Sequence, residues 1–260
     1  MSVIILDRVV KTYPNGTRAV KDIDLAIEPG HFTVILGPSG AGKSTLLRLM
    51  NGLEKPSEGT VSVHDTVLGK KNLRAIRREV GMVFQQFNLV GRLNVMTNVL
   101  TGRLAYRSWL GSVLHLFREE DFRIAQAALA RVDLTEKAWV RADQLSGGQQ
   151  QRVGIARALA QRPRVILADE PVASLDPLTS REVLDLLKGI CQDDHIPVVA
   201  NLHQVDYARE YADRVIGVNS GRVVFDGSPD QLTDAMVDEL YQRAAPVKEP
   251  LHEASTLAHA

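Results

Sequence analysis

Residues 37–44 carry the pattern that most constrains this chain, Gly-Pro-Ser-Gly-Ala-Gly-Lys-Ser. The apolar run Phe32 to Leu36 precedes it, and a helix-like stretch, Ser44 to Asn51, follows it. Glycines allow successive N–H groups to turn inward, and the positive end of the following helix completes a cage for phosphate oxygens. A glycine-rich turn that matched the pattern by chance would not need a strand-like run before it and a helix-like run after it. The pattern therefore predicts a strand, a phosphate-binding loop and a helix that together bind a nucleoside triphosphate.

The side chains of this loop have expected roles. Lys43 would reach the β and γ phosphates as a point charge, and the Ser44 hydroxyl would ligate a magnesium ion that bridges them. The expected nucleotide contacts of the loop are Gly37, Pro38, Ser39, Gly40, Ala41, Gly42, Lys43, Ser44 and Thr45.

Composition narrows the class of protein. At 260 residues, with 45% apolar and 24% charged residues, the chain is long and apolar enough to bury one substantial core. The 31 basic residues balance 31 acidic ones, so no overall positive field favours nucleic acid as a partner. The single cysteine, Cys191, excludes an internal disulfide and a cysteine-built metal site. No run approaches the ~20 apolar residues of a membrane-spanning helix, and Val3 to Leu6 is too short for a secretion signal.

Hydrophobic periodicity divides the chain into regions. Ile23, Leu25 and Ile27 alternate with polar residues, which predicts strands of an antiparallel sheet near the phosphate loop. From about Val95 to Ala160 the period becomes helical, with interruptions around Gly111 and at residues 143–148, so we expect a helical subdomain there.

The second half of the chain has the alternation of strands and helices that is typical of an α/β protein. Val165 to Ala168, Pro177 to Ile190 and Val198 to Leu202 read as strand, helix and strand of a parallel sheet. Residues 219–221, Asn-Ser-Gly, predict a hairpin turn, and the last residues from Pro246 lack periodicity, as in a loosely held tail. The fold class is therefore α/β.

Two adjacent carboxylates end the first of these strands. Side chains alternate along a strand, so Asp169 and Glu170 are expected to have different roles. Asp169 suits the magnesium shell, because hard cations prefer carboxylate oxygen. Glu170 suits orienting and polarising the water that attacks the γ phosphate. A strand that merely ends in an acidic turn would look the same locally, and the phosphate loop upstream argues against it.

A second glycine turn lies between these motifs. Ser146, Gly147, Gly148 and Gln149 follow Leu145 and open a helix-like run to Ala160, which would make a second anion-binding nest. Taken alone, such a turn is as often a simple helix cap. A two-fold dimer explains why one chain has two cages. In such a dimer, the second cage of each subunit closes over the triphosphate that the other subunit's phosphate loop holds. With Leu-Ser-Gly-Gly-Gln between its two phosphate-binding motifs, the chain resembles the ATP-binding-cassette (ABC) ATPases.

This resemblance implies roles for four further residues. Tyr13 occupies the place of the aromatic residue that stacks on adenine, although alone it is as well explained as a surface turn residue. Gln85 matches the glutamine that touches magnesium and the attacking water, whereas Gln86 fits the motif register less well. Asp176 matches the aspartate that crosses the dimer interface, which is compatible with its capping a helix. His203 matches the switch histidine that contacts the γ phosphate, although a lone histidine there is more often structural.

The resemblance also implies a domain plan. The fold is expected to be a P-loop NTPase core of the ABC ATPase type, with an antiparallel β subdomain and a helical subdomain. The nucleotide-binding domain would cover residues 1–243, with the helical subdomain at about 90–160, and residues 244–260 would form a C-terminal tail.

The activity implied is hydrolysis of ATP with Mg²⁺. ATP would join two copies of the chain as a homodimer, and its hydrolysis would separate them and move attached permease subunits in the membrane. Permease helices would dock around residues 86–104, where the apolar candidates are Phe87, Leu89, Val90, Leu93 and Val95. Half of these are as well explained as ordinary core. The chain would then lie on the cytoplasmic face of the bacterial inner membrane and serve a periplasmic solute-binding protein indirectly, without a nucleic acid partner.

Within importers, four stretches look most like phosphonate-import ATPase subunits, including relatives that import phosphite or hypophosphite. These stretches are residues 98–104, 171–177, 201–206 and 224–227. None would touch the transported solute, so an importer for another small solute stays open. Two further hypotheses also stay open: a soluble ABC ATPase of a phosphonate-degrading enzyme complex, and a nucleotide switch without useful turnover.

Overall fold

The computed structural model describes residues 2–106 and 117–241. The interruption expected around Gly111 and the tail at 244–260 lie outside these ranges. In chain order the strands are β1 (Ile4–Thr12), β2 (Arg18–Ile27), β3 (Phe32–Leu36), β4 (Glu58–Val63), β5 (Thr66–Val67), β6 (Val80–Val83), β7 (Val165–Asp169), β8 (Val198–Asn201), β9 (Arg214–Asn219) and β10 (Arg222–Gly227). The α-helices are α1 (Lys43–Met50), α2 (Leu73–Glu79), α3 (Val95–Leu100), α4 (Glu119–Arg131), α5 (Gly147–Ala160), α6 (Pro177–Asp193), α7 (Val205–Tyr211) and α8 (Asp234–Tyr241).

Six strands form the central sheet, in the order β10-β9-β3-β8-β7-β6. Strands β9, β3, β8, β7 and β6 run parallel, and β10 is an antiparallel edge. Every residue of β3, β7 and β8 is buried, as expected where helices cover both faces of a parallel sheet. The parallel strand–helix–strand unit predicted from the sequence is confirmed.

Alternate residues of the buried strands enter two different cores. Along β3, Phe32, Val34 and Leu36 pack into a core shared with helices α3 to α6. Ile35 faces the other side and packs with α1 and with strands β1, β2 and β4. The sheet is therefore the middle of three layers, and its carboxyl edge is left open for a ligand.

A second, antiparallel sheet has the order β2-β1-β4-β5. Ile23, Leu25 and Ile27 are all buried on its inner face, so the antiparallel strand predicted from their period-2 pattern is confirmed. This sheet packs on the α1 side of the central sheet. It places the start of the chain beside the phosphate loop.

Helices α3, α4 and α5 pack together in the region expected to be helical. A buried ion pair joins Arg103, in the 3-10 turn Thr101–Tyr106, to Asp121 of α4 with a nitrogen–oxygen distance of 3.1 Å. Arg103 also donates to the carbonyl of Ala160 at the end of α5 at 3.1 Å. One side chain thereby fixes three segments of the helical layer.

The end of the described chain returns to the phosphate loop. Ser220 and Gly221 have φ angles of 49° and 80° and form the turn between β9 and β10, as the hairpin prediction requires. Helix α8, which the sequence pattern did not reveal, packs Leu240 close to Gly217 of β9.

Within residues 2–106 and 117–241, no helix combines the length and apolar character needed to cross a membrane.

Candidate functional site

The phosphate loop connects β3 to α1 at the carboxyl edge of the central sheet. Two of its glycines lie against neighbouring backbone. A Cβ at Gly37 would come within 1.9 Å of the Val218 carbonyl oxygen, and one at Gly42 within 2.3 Å of the Ala19 carbonyl oxygen. Both glycines have positive φ, 148° and 105°, so no other residue fits there without moving the backbone.

Lys43 lies across this loop. Its Nζ donates to the carbonyl oxygens of Gly37 at 2.6 Å and Pro38 at 3.1 Å, and the residue is only 5% exposed. Burial lowers the pKa of the Lys43 ammonium, while the negative charges of Glu170 and Asp169 oppose this shift. The ammonium is therefore held over the loop by two neutral backbone carbonyls.

The pocket over the loop has a volume of about 210 Å³. It is lined by Ala19, Glu170 and the loop residues Ser39, Gly40, Ala41, Gly42, Lys43, Ser44 and Thr45. Most of the expected loop contacts thus share one cavity. Ala19 was missed from the sequence, because a small residue at the start of a strand carries no chemical signal.

Asp169 ends β7 and is almost fully buried, with 6% exposure. Its Oδ1 accepts hydrogen bonds from Ser44 Oγ and from Asn201 Nδ2, both at 2.8 Å. The structure therefore brings together two of the three predicted metal-binding residues, Ser44 and Asp169, and leaves Gln85 apart from them. Asn201 was missed, although a polar residue that ends the apolar run of β8 is a visible signal.

Glu170 does not continue the strand. Its φ of 51° is in the left-handed region, so the chain turns at this residue. Glu170 Oε1 lies 2.6 Å from His203 Nε2, which unites the two residues expected at the γ phosphate. The different partners of Asp169 and Glu170 therefore come from this turn and not from the strand alternation expected from the sequence. Tyr241 of α8 donates to the His203 carbonyl at 3.0 Å and was not expected.

Tyr13 lies at the rim of the loop pocket. Its hydroxyl is 3.2 Å from Thr45 Oγ1, and Lys11 Nζ lies 5.0 Å from the centre of its ring. The aromatic ring is therefore placed beside the phosphate loop by a contact that spans 32 residues of sequence.

Gln85 is exposed in the loop that follows β6. Two carbonyls of this loop, at Phe87 and Asn88, accept hydrogen bonds from Arg157 of α5 at 3.0 and 2.6 Å. Within the described chain no hydrogen bond joins Gln85 to Ser44 or Asp169. Gln85 therefore lies in the loop that joins the central sheet to the helical layer, and it is not hydrogen-bonded to Ser44 or Asp169.

The second glycine turn caps helix α5. Ser146 Oγ accepts from the Gln149 backbone N–H at 3.3 Å, and Gln149 Oε1 accepts from the Ser146 N–H at 3.1 Å. This capping box starts the helix at Gly147, two residues before the run predicted from Gln149. The turn is a helix cap, and backbone N–H groups at such a helix start are of the kind that can bind an anion.

This turn has a pocket of its own, of about 260 Å³. Its lining residues are Asp133, Leu134, Ser146, Gly148, Gln149, Arg152, Thr179 and Glu182, none of which lines the phosphate-loop pocket. The structure thus keeps the two predicted phosphate cages apart within one chain.

Asp176 caps helix α6 beside this second pocket. Its Oδ1 accepts from the Thr179 N–H at 3.0 Å, and the bonds to Thr179 lower the pKa of the Asp176 carboxyl. A Cβ at Gly148 would come within 2.2 Å of Thr179 Cγ2, so Thr179 packs directly on the glycine turn. Asp176 therefore belongs to the second cage.

The donor set at Ser44 and Asp169 fits magnesium. Both groups offer hard oxygen atoms, and Mg²⁺ in nucleotide sites is held by a few protein oxygens together with substrate phosphates and water. Among the described residues, no group of three or more histidine, cysteine or acidic side chains could hold a metal alone. The residues therefore suit a magnesium ion that arrives with its nucleotide.

A parallel sheet with a glycine-rich phosphate loop, an acidic strand end and a capped second glycine turn defines an ATP-binding cassette. A family profile described as ABC transporter matches residues 20–173. The chain belongs to the ABC transporter family. It is an ATPase whose hydrolysis of ATP is coupled to transport.

Individual relatives are similar over almost the whole chain. A protein of Thiobacillus denitrificans named phosphonates import ATP-binding protein PhnC is 65% identical over 243 residues, which is 94% of each chain. One of Trichodesmium erythraeum, named phosphonates import ATP-binding protein PhnC 2, is 62% identical over 245 residues, again 94% of each chain. Among solved structures, a dimeric post-hydrolysis state of the ATP-binding cassette MJ0796, bound to ADP and phosphate, has a TM-score of 0.76 and 38% identity, covering 87% of this chain and 98% of that one.

Proposed function

We propose that the chain is the ATP-hydrolysing subunit of a bacterial ABC importer for phosphonate or a related reduced-phosphorus oxyanion. Relatives named for phosphonate import, at 65% and 62% identity, support the substrate class. The proposed nucleotide-binding domain covers residues 1–243, with its helical subdomain at about 90–160 and a tail at 244–260.

The observation that carries the ATPase proposal is the pair Glu170–His203 beside the phosphate loop, with 2.6 Å between their facing atoms. In this proposal the loop and Lys43 bind the phosphates of ATP, while Ser44 and Asp169 hold Mg²⁺. Magnesium, when bound, neutralises charge that develops on the phosphates. Glu170 accepts the proton of the attacking water, and His203 donates a hydrogen bond to the γ phosphate.

The second cage completes the site of another copy. Ser146, Gly147, Gly148 and Gln149 bind the triphosphate held by a partner's phosphate loop, and Asp176 contacts the partner across the interface. Two observations support this homodimer: the separate pockets of the two cages within one chain and the dimeric form of the solved relative. Tyr13 stacks on the adenine of the ATP bound to its own chain.

An exposed apolar patch is the proposed contact with the permease. Val90, Leu93 and Trp139 are 52%, 36% and 69% exposed, and we call these three residues the docking patch. Backbone hydrogen bonds hold the segments together, with Ala142 N–H donating to Leu93 O at 3.0 Å. Val95, by contrast, is fully buried and belongs to the core.

The remaining candidates, Phe87 and Leu89, are partly buried beside this patch. Gln85 lies in the same loop and is proposed to touch magnesium and the attacking water when the dimer closes. In this arrangement the protein is peripheral on the cytoplasmic face of the inner membrane, and the periplasmic solute-binding protein acts on it only through the permease.

Uptake by cells that lack this chain tests the proposal. Cells complemented with the wild-type chain should take up labelled phosphonate or phosphite in excess over labelled phosphate, and cells complemented with Glu170→Gln should not. Equal uptake with and without the chain would reject the importer role. Co-purification of the chain with soluble phosphonate-degrading enzymes in place of integral membrane permeases would support the hypothesis of a soluble enzyme complex.

A further inference from the structure

Asn201 is a polar residue at the end of an apolar strand. Strand β8 reads Val-Val-Ala-Asn, all four residues are buried, and Asn201 is 0% exposed. Burying an amide costs free energy unless hydrogen bonds replace those it made with water. The contacts of this amide therefore indicate what it contributes.

Strand register brings Asn201 to the acidic end of the neighbouring strand. It pairs with Asp169 of β7 on one side and with Ile35 of β3, just before the phosphate loop, on the other. Asn201 Nδ2 donates to Asp169 Oδ1 at 2.8 Å, the same oxygen that accepts from Ser44 Oγ. One carboxylate oxygen is thus held by donors from two different elements.

The orientation of the amide follows from the carboxylate. An ionised carboxylate only accepts hydrogen bonds, so the NH₂ group of Asn201 must face Asp169. The amide oxygen then faces away, is buried, and has no hydrogen-bond partner among the described residues. Asn201 is therefore placed for its donation to Asp169 and not for its own acceptor.

A neutral donor suits this position. Asp169 and Lys43 are 6% and 5% exposed, and Glu170 lies near enough to act on the charge of Lys43. A cationic donor would neutralise the carboxylate and compete with a metal ion, and an acidic residue would repel it. An amide orients the carboxylate and leaves its negative charge intact.

We propose that Asn201 is a positioning residue for the metal site: with Ser44, it holds the Asp169 carboxylate in one orientation for the magnesium ion that accompanies the nucleotide. This inference rests on the proposed role of Asp169 as a magnesium ligand. Hydrogen-bond partners of metal ligands typically change metal affinity about 10–100-fold when they are removed. Removing the Asn201 amide should therefore lower the affinity for magnesium and leave the affinity for metal-free nucleotide unchanged.

The test is a binding titration that does not depend on turnover. A fluorescent ADP analogue is bound to the full chain in EDTA and then across a Mg²⁺ series, for wild type, Asn201→Leu, Asn201→Val and Asp169→Asn. We expect the two Asn201 variants to need about 10–100-fold more Mg²⁺ than wild type, with unchanged metal-free affinity. Thr33→Val is the matched control, because it removes another fully buried polar group, from β3, that does not touch Asp169. Its Mg²⁺ dependence should equal that of wild type.

Unchanged Mg²⁺ dependence in both Asn201 variants would overturn the inference. So would an equal loss of metal-free and Mg²⁺-bound affinity, since that outcome marks a purely structural residue. Valine has the β-branched shape preferred in strands, so Asn201→Val carries the test where leucine does not fit. If Asp169→Asn itself left the Mg²⁺ dependence unaltered, the proposed metal role of Asp169 would fail, and this result is distinct from a failure of Asn201 alone.

Discussion

The two phosphate cages of this chain are built in opposite ways. Around the phosphate loop, side chains meet from distant parts of the sequence: Ser44 and Asp169 are 125 residues apart, and Asn201 and Asp169 are 32 apart. Around the second glycine turn, Ser146 bonds to Gln149 and Asp176 to Thr179, each three residues away. The hydrogen bonds of the first cage join distant parts of the chain, whereas those of the second are local to two helix starts.

This difference bears on how ATP is used. In the proposed function the first cage has groups for phosphates, metal and water, so we expect it to hold a nucleotide before any partner arrives. The second offers a serine hydroxyl and helix N–H groups, beside a pocket that Asp133, Arg152, Thr179 and Glu182 also line. It is therefore suited to recognise a phosphate that another copy presents, and the two cages should respond differently to mutation.

The largest expected effect comes from the first cage. Glu170→Gln removes the base beside His203 but keeps the size of the side chain, so ATP hydrolysis should fall about 10²–10⁴-fold while ATP still binds. With hydrolysis blocked, the ATP-bound dimer should accumulate and elute as a dimer in size-exclusion chromatography. Phosphate release gives the rate.

Glu210→Gln is the control, because this exposed carboxylate pairs with Arg181 and lies outside both pockets. It should hydrolyse ATP like wild type. A Glu170→Gln chain that stays monomeric in ATP would break the idea that the triphosphate joins the two cages.

The next effect separates the cages directly. In the Glu170→Gln background, Ser146→Ala should weaken ATP-dependent dimerisation by about 1.5–3 kcal/mol per site, the usual value of a hydrogen bond to a charged group. ATP binding to the monomer should not change, since Ser146 is not in the phosphate-loop pocket. Analytical ultracentrifugation and nucleotide titration measure the two quantities.

Ser228 provides a matched control for this substitution. Its backbone N–H donates to Gln231 Oε1 at 3.0 Å at the start of the 3-10 turn Pro229–Gln231, so Ser228→Ala is the same substitution at another N-cap, away from both cages. Loss of dimerisation in both variants would point to general destabilisation and not to a phosphate contact.

Much of this contrast was visible in the sequence. Local motifs were predicted well: the phosphate loop, the second glycine turn and the turn at Ser220 and Gly221 all depend on neighbouring residues. Contacts made by strand register were not predicted, because one sequence does not say which residues of β7 and β8 stand side by side. Asn201 was missed for this reason, and Tyr241 was missed because helix α8 was not predicted.

Backbone turns were equally hidden. The strand end at Asp169 was predicted, but the positive φ of Glu170 was not, because glutamate has no preference for the left-handed region. The different contacts of the two carboxylates therefore come from this turn and not from the strand alternation assumed from the sequence. The site is predictable from sequence where chemistry is local, and much less so where the fold assembles it.

A smaller effect sharpens the first cage. If Tyr13 stacks on adenine, Tyr13→Ala should weaken ATP binding by about 1–3 kcal/mol, or about 5–150-fold. Tyr13→Phe keeps the ring, loses only the contact with Thr45, and should bind ATP nearly as wild type does. Isothermal titration with ATP and with inorganic triphosphate separates base from phosphate contacts. Equal losses for both ligands in Tyr13→Ala would count against stacking.

The smallest effect concerns the cap at Asp176, and its size depends on pH. The lowered pKa means that folding favours the ionised carboxylate, so its stabilisation is present above the unfolded pKa of 3.8 and is lost as pH falls through the folded value. Asp176→Ala should therefore melt slightly below wild type at pH 7, and the difference should shrink as the pH is lowered below 3.8. Asp176→Asn keeps a capping oxygen and should melt close to wild type at pH 7. Because the cap is local, neither variant should change ATP binding to the monomer, and a loss of that binding would show that the two cages are coupled within one chain.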